Sequence, residues 1–283
     1  MIPAAFDYER AESVDHAVSL LGQHGGEAKL LAGGHSLLPL MKLRLARPSV
    51  IVDIDRLSDL EYVREDGDRL EIGALTRLAD LVTNETLGNG NALVVHAAEK
   101  VGDPQVRHRA TIGGSVAHGD PAGDLPTVLL TLDAELVARG PAGERTIPAG
   151  QFFTGFFETA LAPDEVLTAI RVPRLTGGWS YQKFHRRAID WAIVGVAAVV
   201  ERSNGSIGSA KVGLTNMALT PVRAAAVEQA LSGSDGSADS IRAAAEQAPE
   251  GTSPPSDTNG SAEYRREVSK VLVRRALEEA LGR

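Results

Sequence analysis

The sixteen residues from Thr111 to Pro126, T-I-G-G-S-V-A-H-G-D-P-A-G-D-L-P, read as an exposed backbone surface rather than a stretch of core. They include four glycines, two alcohols, two acids and two prolines, and Ile112 is the only bulky aliphatic ahead of the glycine pair. Gly113 and Gly114 carry no Cβ, so the chain there can turn left-handed and let a ligand approach its amides. Successive amides in such a turn form a concave nest that suits an anion, phosphate above all. An upstream segment, Ala32-Gly33-Gly34-His35-Ser36, has the same alcohol-and-glycine character. Two separate loops of this kind predict one extended phosphate-bearing ligand.

The rest of the composition narrows the class. A chain of 283 residues is long for one domain and comfortable for two. A net charge of -8 with no long basic run argues against nucleic acid. No signal pattern opens the chain, and no apolar run reaches the roughly 20 residues that span a bilayer, so a soluble, intracellular protein is expected. Cysteine is absent, which removes disulfides, thiolate nucleophiles and cysteine-ligated clusters from this chain. Any redox chemistry then needs an organic cofactor or electrons from elsewhere.

Taken in order, Ser13 caps a helix through Val14, Ala17, Val18 and Leu21 that Gly25-Gly26 stops. Lys29 to Ala32 is a short strand running into the first glycine pair, a geometry that presents amides to phosphate. Leu37 to Leu45 is a helix-like segment, and Val50 to Ile54 a buried strand. Asp53 lies about 20 residues beyond the glycines, as in a Rossmann unit, but the third glycine is missing and the crossover is short, which disfavours that fold. Further on, Thr76 is expected to cap a helix, and Arg107 and Arg109 to pair with surface acids rather than with phosphate. Asp124 sits on the cap side of a helix through Leu132. Phe152, Phe153, Phe156 and Phe157 are expected to pack in the core, at least three of them. The composition shifts after Thr176-Gly177-Gly178, taken as a domain boundary. Strands follow, Trp191 to Val200 among them, then a helix from Val222 to Leu231 begun by Thr220-Pro221, a surface excursion over Ala248 to Ser261, and a final helix from about Ala262 to Leu281. The fold class is α+β, with small sheets and helices gathered to one side.

Several runs together resemble a known family. They are Met1-Ile2-Pro3 with Phe6-Asp7-Tyr8, A-G-G-H-S-L-L-P-L-M-K from Ala32, T-I-G-G from Thr111, D-P-x-x-D-L-P from Asp120 and G-L-T-N from Gly213. The chain resembles, over nearly its whole length, the FAD-binding medium subunits of the molybdenum hydroxylases, the group of xanthine dehydrogenase and aerobic carbon monoxide dehydrogenase. Within that group the carbon monoxide dehydrogenase medium chains are the nearest likeness. The resemblance implies a two-domain fold of the vanillyl-alcohol-oxidase (PCMH) type. Residues 1–177 would form the FAD-binding domain, with subdomains of about 1–56 and 57–177, and residues 178–283 a C-terminal domain of sheet plus helices. FAD would lie between the domains, its pyrophosphate wrapped by Ala32, Gly33, Gly34, His35, Ser36 and Leu37 on one side. Thr111, Ile112, Gly113, Gly114 and Ser115 would hold the other side, so a bulky residue at Gly114 is expected to abolish FAD retention while the second domain stays folded. The likeness places Asp124, Leu161 and Lys183 near the flavin, and Trp191 where the carbon monoxide enzymes carry a tyrosine beside the isoalloxazine ring. Trp191 equally suits a core position. Ser115 departs from the family's asparagine and shortens that reach. His35 and His118 are taken as packing groups or pyrophosphate-side hydrogen bonders.

The implied activity is electron transfer. Electrons from a molybdenum cofactor in a large subunit would pass through two [2Fe-2S] clusters in a small subunit to this FAD and on to an external acceptor such as a quinone. The implied assembly is a dimer of heterotrimers, cytoplasmic, with room for membrane association through the complex. Carbon monoxide is the substrate the likeness favours, ahead of purine, nicotinate or aldehyde substrates. A self-contained FAD oxidoreductase and a nucleotide-binding regulator are the rival readings; the first lacks a clear base or paired carboxylates, and a flavin spectrum would exclude the second.

Overall fold

The computed structural model describes all 283 residues, with three sheets stacked along the chain. Strands β1 (Asp7–Arg10), β2 (Ala28–Leu31) and β3 (Val50–Asp53) form a parallel sheet in the order β1-β3-β2. Helix α1 (Val14–His24) covers it with Ala17, Val18, Leu20 and Leu21. Ser13 accepts from the His16 amide at the start of α1, and Gly25, at φ 56°, ends it. Helix α2 (Leu37–Lys42) makes the short crossover from β2 to β3.

The second sheet is antiparallel, ordered β4 (Val63–Asp66), β5 (Arg69–Gly73), β10 (Val166–Pro173), β6 (Glu135–Gly140) and β7 (Gly143–Pro148). Five short helices lie between β5 and the centre of the molecule: α3 (Leu78–Thr83), α4 (Glu85–Gly90), α5 (Ala92–Glu99), α6 (Pro104–Arg107) and α7 (Ile112–Ala117). Thr76 does not cap α3; its hydroxyl donates to the Tyr62 carbonyl, and Arg77 takes the cap position. Helix α8 (Asp124–Thr131) is buried on every side, which is why its sequence shows no polar stripe. After β7, helix α9 (Ala149–Phe152) leads into a small hairpin, β8 (Phe153–Gly155) and β9 (Glu158–Thr159). Its two-residue turn is Phe156-Phe157, and both rings are exposed, against the expectation that they join Phe152 in the core.

The third sheet is antiparallel, ordered β11 (Gly178–Phe184), β12 (Val194–Ser203), β13 (Ser206–Thr215) and β14 (Val222–Arg223). Strand alternation sends Tyr181, Ala197 and Val199 into a core shared with α8 and the second sheet. Val194, Val196, Ala198 and Val200 face the other way, onto α12 (Ala262–Ala280). The helix expected from Val222 begins only at Ala225, as α10 (Ala225–Leu231), because Val222-Arg223 pairs with Gly213-Leu214 and satisfies that edge. Between α10 and α12 lies α11 (Ala238–Ala245). The excursion before α12 is tied down: the Ser253 amide donates to Met217 O, and Asp257 pairs with Arg265 at 2.7 Å. Gly177 and Gly178 press against the carbonyls of Val200 and Ala280, so this pair marks close packing as well as a change of sheet. No helix is long and apolar enough to cross a membrane.

One carboxylate in the second sheet sets an acid sensitivity. Glu71, almost wholly buried, accepts from Tyr62 Oη at 2.7 Å, Arg171 Nε at 2.7 Å and Arg64 Nη2 at 2.5 Å. Burial pushes its pKa up, but the three donors outweigh burial and hold it below the ordinary glutamate value. Its contribution to stability is therefore present above the unfolded-state value, about pH 4.3, and is lost as pH falls through the depressed one. Glu71→Gln should lower the urea midpoint at pH 7, and the gap from the wild type should narrow at about pH 3.5. An unchanged gap would assign the loss to packing alone.

Candidate functional site

The first glycine loop leaves the end of β2 and turns at Gly34, whose φ is 78°. The five amides from Ala32 to Ser36 donate to no backbone or side-chain group of the protein. The carbonyls of Gly34 and Ser36 are used, accepting from Leu38 and Leu40 in α2. The segment is therefore a run of unpaired donors at the head of a helix, held partly out of solvent. Unpaired donors in a shielded place point to a hydrogen-bonding ligand.

The second loop differs from the expected nest. Thr111 is the N-cap of α7, with Oγ1 accepting from Gly114 at 3.1 Å. The amides of Ile112, Gly113 and Ser115 donate to Thr76, Ala74 and Thr111 carbonyls. Gly113 and Gly114 are thus helical, not left-handed, and their amides are consumed. Their small size serves packing instead: a Cβ on Gly113 would lie 2.9 Å from Ala74 Cα, while one on Gly33 would lie 2.8 Å from the Arg109 carbonyl carbon and closer still to its oxygen. Glycine at 33 lets the first loop touch the chain just ahead of the second. Arg77 fastens the junction, donating to Arg109 O at 2.6 Å and to Asp55 at 2.5 Å. Arg109 also reaches Asp55, at 3.4 Å, whereas Arg107 donates to the carbonyls of Glu99 and Val101 rather than to an acid.

Between the loops lies a cavity of about 800 Å³. It brings together Ala32, Gly33, Gly34, His35, Ser36 and Leu37 with Thr111, Gly113, Gly114, Ser115 and Leu161. Ile112 lies beneath it, wholly buried in the core. His118 and Phe157 close one end, their ring centroids 4.8 Å apart, and burial lowers the His118 pKa. A volume of this size and a row of free amides fit a dinucleotide cofactor such as FAD.

Asp124, Lys183 and Trp191 stand apart from that lining. Asp124 does not cap α8. Its carboxylate accepts from Tyr181 Oη at 2.5 Å and from Lys183 Nζ at 2.8 Å, in a pair exposed by only 6% and 2%. Burial pushes the Asp124 carboxyl up, and Lys183 opposes it. This pair joins the second sheet's helices to the third sheet, and Thr215 Oγ1 donating to Thr127 Oγ1 at 2.7 Å continues the seam. Trp191 is not a core residue: at 68% exposed, it lines a second hollow of about 490 Å³ with Phe156, Asp120 and Arg186. Asn216, the last residue of G-L-T-N, holds the following backbone by donating to Ala192 O at 2.8 Å, from a left-handed φ of 60°. Tyr181, Arg77 and the Phe156-Phe157 turn escaped the sequence reading. Only Asn216 had left a signal there, as a motif residue without a role.

Comparison with known proteins agrees with this layout. Residues 4–175 match the family model described as the FAD binding domain in molybdopterin dehydrogenase, and residues 179–280 the CO dehydrogenase flavoprotein C-terminal domain. The carbon monoxide dehydrogenase medium chain of Hydrogenophaga pseudoflava is 42% identical over 285 residues, covering 100% of this chain and 99% of that one. A subunit alpha of the 6-hydroxypseudooxynicotine dehydrogenase complex of Paenarthrobacter nicotinovorans is 40% identical, covering 100% and 97%. A solved carbon monoxide dehydrogenase from Hydrogenophaga pseudoflava, which lacks the Mo-pyranopterin moiety of its molybdenum cofactor, superposes with a TM-score of 0.97 at 44% identity, covering 100% and 99%.

Proposed function

The chain belongs to the family of FAD-binding flavoprotein subunits of molybdopterin dehydrogenases, and from that premise we propose that it relays electrons from a partner's iron-sulfur clusters to an external acceptor. As a member it is a flavoprotein subunit of an oxidoreductase complex of the carbon monoxide dehydrogenase and molybdenum hydroxylase type. The observation that carries the reading is the row of five free amides, Ala32 to Ser36, facing a dinucleotide-sized cavity. These amides, with Leu37, Thr111, Gly114, Ser115 and Leu161, would hold the cofactor, and Gly33 and Gly113 would set how closely the loops approach. Asp124 and Lys183 serve the site from behind, by joining the two domains, for which we take the boundary at 177/178. FAD, when bound, supplies a centre that takes up two electrons and two protons.

With no cysteine in the chain, the two [2Fe-2S] clusters belong to a small subunit, and the molybdenum cofactor to a large one. We take the whole as a dimer of heterotrimers with a quinone or similar carrier as acceptor. Carbon monoxide oxidation, CO + H2O giving CO2, two electrons and two protons, is the reaction favoured by relatives at full length, the nicotine-derivative enzyme being the nearest alternative. Purified chain should carry flavin absorbance and release about one FAD per chain on denaturation, and adding the partner subunits should be needed before substrate bleaches it. Bleaching by a small substrate without partners would overturn the relay in favour of a self-contained oxidoreductase.

A further inference from the structure

The hairpin turn Phe156-Phe157 stands between the two cavities. Phe157 lines the large one and Phe156 the second hollow, with ring centroids 4.4 Å apart in an edge contact. Phe157 holds a left-handed φ of 57°, uncommon for a bulky side chain and a source of strain. The strain puts one ring on each side of a wall that is a single turn thick.

The second hollow presents two bare aromatic rings, Phe156 at 57% exposed and Trp191 at 68%. Exposed rings around a concavity of this size mark a ligand surface better than scattered exposure does. The far wall is built rather than loose. Asn216 holds Ala192 O, and the wholly buried Arg265 donates to Ile193 O and to Asp257 in the opposite rim. Arg186 has no acid partner and donates to Asn259 Oδ1 at 2.7 Å. The remaining charges on the lining are acids: Asp120, which meets no cation, and Asp190 and Asp257, each paired with an arginine. Such a lining favours a neutral planar ring over a polyanionic dinucleotide.

We propose that this hollow is the docking port of the electron acceptor, a planar quinonoid ring that stacks on Phe156 and Trp191 with a carbonyl oxygen toward Arg186. The proposal rests on FAD occupying the neighbouring cavity. The acceptor takes two electrons and two protons from the reduced cofactor and leaves as the hydroquinone. Arg186 favours the negative charge that gathers on the ring oxygen as electrons arrive. Phe156, Trp191 and Arg186 are then residues that select the acceptor.

Equilibrium dialysis of the full-length chain against 1,4-naphthoquinone tests this, with FAD content read from the same samples. Phe156→Ala and Trp191→Ala should each weaken naphthoquinone binding roughly tenfold with FAD content unchanged, and Phe156→Tyr and Trp191→Phe should restore it. NAD should not compete. Unchanged binding in both alanine variants overturns the port. Loss of FAD from Trp191→Ala also overturns it, since the rings then seat the flavin itself, and so does competition by NAD. Absence of FAD from the wild-type chain is read separately, by absorbance, and overturns the cavity assignment on which the port depends.

Discussion

Gly33→Ala should leave purification with FAD occupancy reduced by roughly ten- to a hundredfold, the equivalent of the 1–3 kcal/mol that forced overpacking costs. The added methyl would run into the Arg109 carbonyl, and that carbonyl has nowhere to go. It already accepts from Arg77, and the next carbonyl, Ala110, accepts from Leu78 at 3.0 Å. The first loop must therefore lift, carrying its free amides away from the second. Gly114→Ala is the matched control: its methyl would meet only the Thr111 hydroxyl, at 2.8 Å, and Ala32 Cβ, at 3.9 Å. It should cost little more than the α7 cap, about 1 kcal/mol, and keep most of its FAD. The measurement is FAD released per chain, with circular dichroism to show that both variants fold. Equal FAD in the two variants would sink the idea that loop apposition controls binding.

Lys183→Met should lower the thermal midpoint by roughly 10 °C, because Asp124 is left charged and buried without its cation, a loss of about 3–5 kcal/mol. Tyr181 and Asp124 remain, but a hydroxyl does not replace an ammonium 2.8 Å away. The double variant Asp124→Asn with Lys183→Met should lose less than the single one. The pH dependence has a definite sign. Burial raises the Asp124 pKa, and in Lys183→Met nothing cationic opposes it, so stability is retained below the unfolded-state value and lost as pH rises through the raised one. The single variant should therefore lose ground to the wild type between about pH 5 and pH 8. A deficit that stays constant with pH would assign the effect to packing.

The segments with strong local rules were legible in the sequence. Ser13 before α1 and Ser261 before α12 accept from the amides three residues on, as capping predicts. The alternation in Trp191 to Val200 correctly marked a buried strand, although it begins only at Val194. The readings that failed were decided by distant partners. Thr220-Pro221 resembles a helix start, yet the edge of β13 needed a strand more than the chain needed that turn of helix. Phe156 and Phe157 look like core by type, and only the hairpin shows them to be outside. At the site, both loops could be located from their glycines, but not which of them keeps its amides free. Whether an amide is spent depends on Ala74 and Thr76, nearly 40 residues upstream, whose carbonyls take the donors of Gly113 and Ile112. Tyr181 and Lys183 point at Asp124 from adjacent same-face positions of β11, a coincidence that no local pattern announces.

Helix α8 gives the chain a seam in space that differs from its seam in sequence. Covalently the helix belongs with residues ahead of the joint at 177/178, yet Thr127 and Thr131 abut Gly213, and Asp124 holds two side chains of β11. A chimera that joined the first 177 residues to the C-terminal part of a distant relative would orphan a helix whose fit was shaped by the part removed. Recombination between such chains should succeed only when the crossover carries α8 along with the third sheet, or when both parents agree at Gly213, Tyr181 and Lys183.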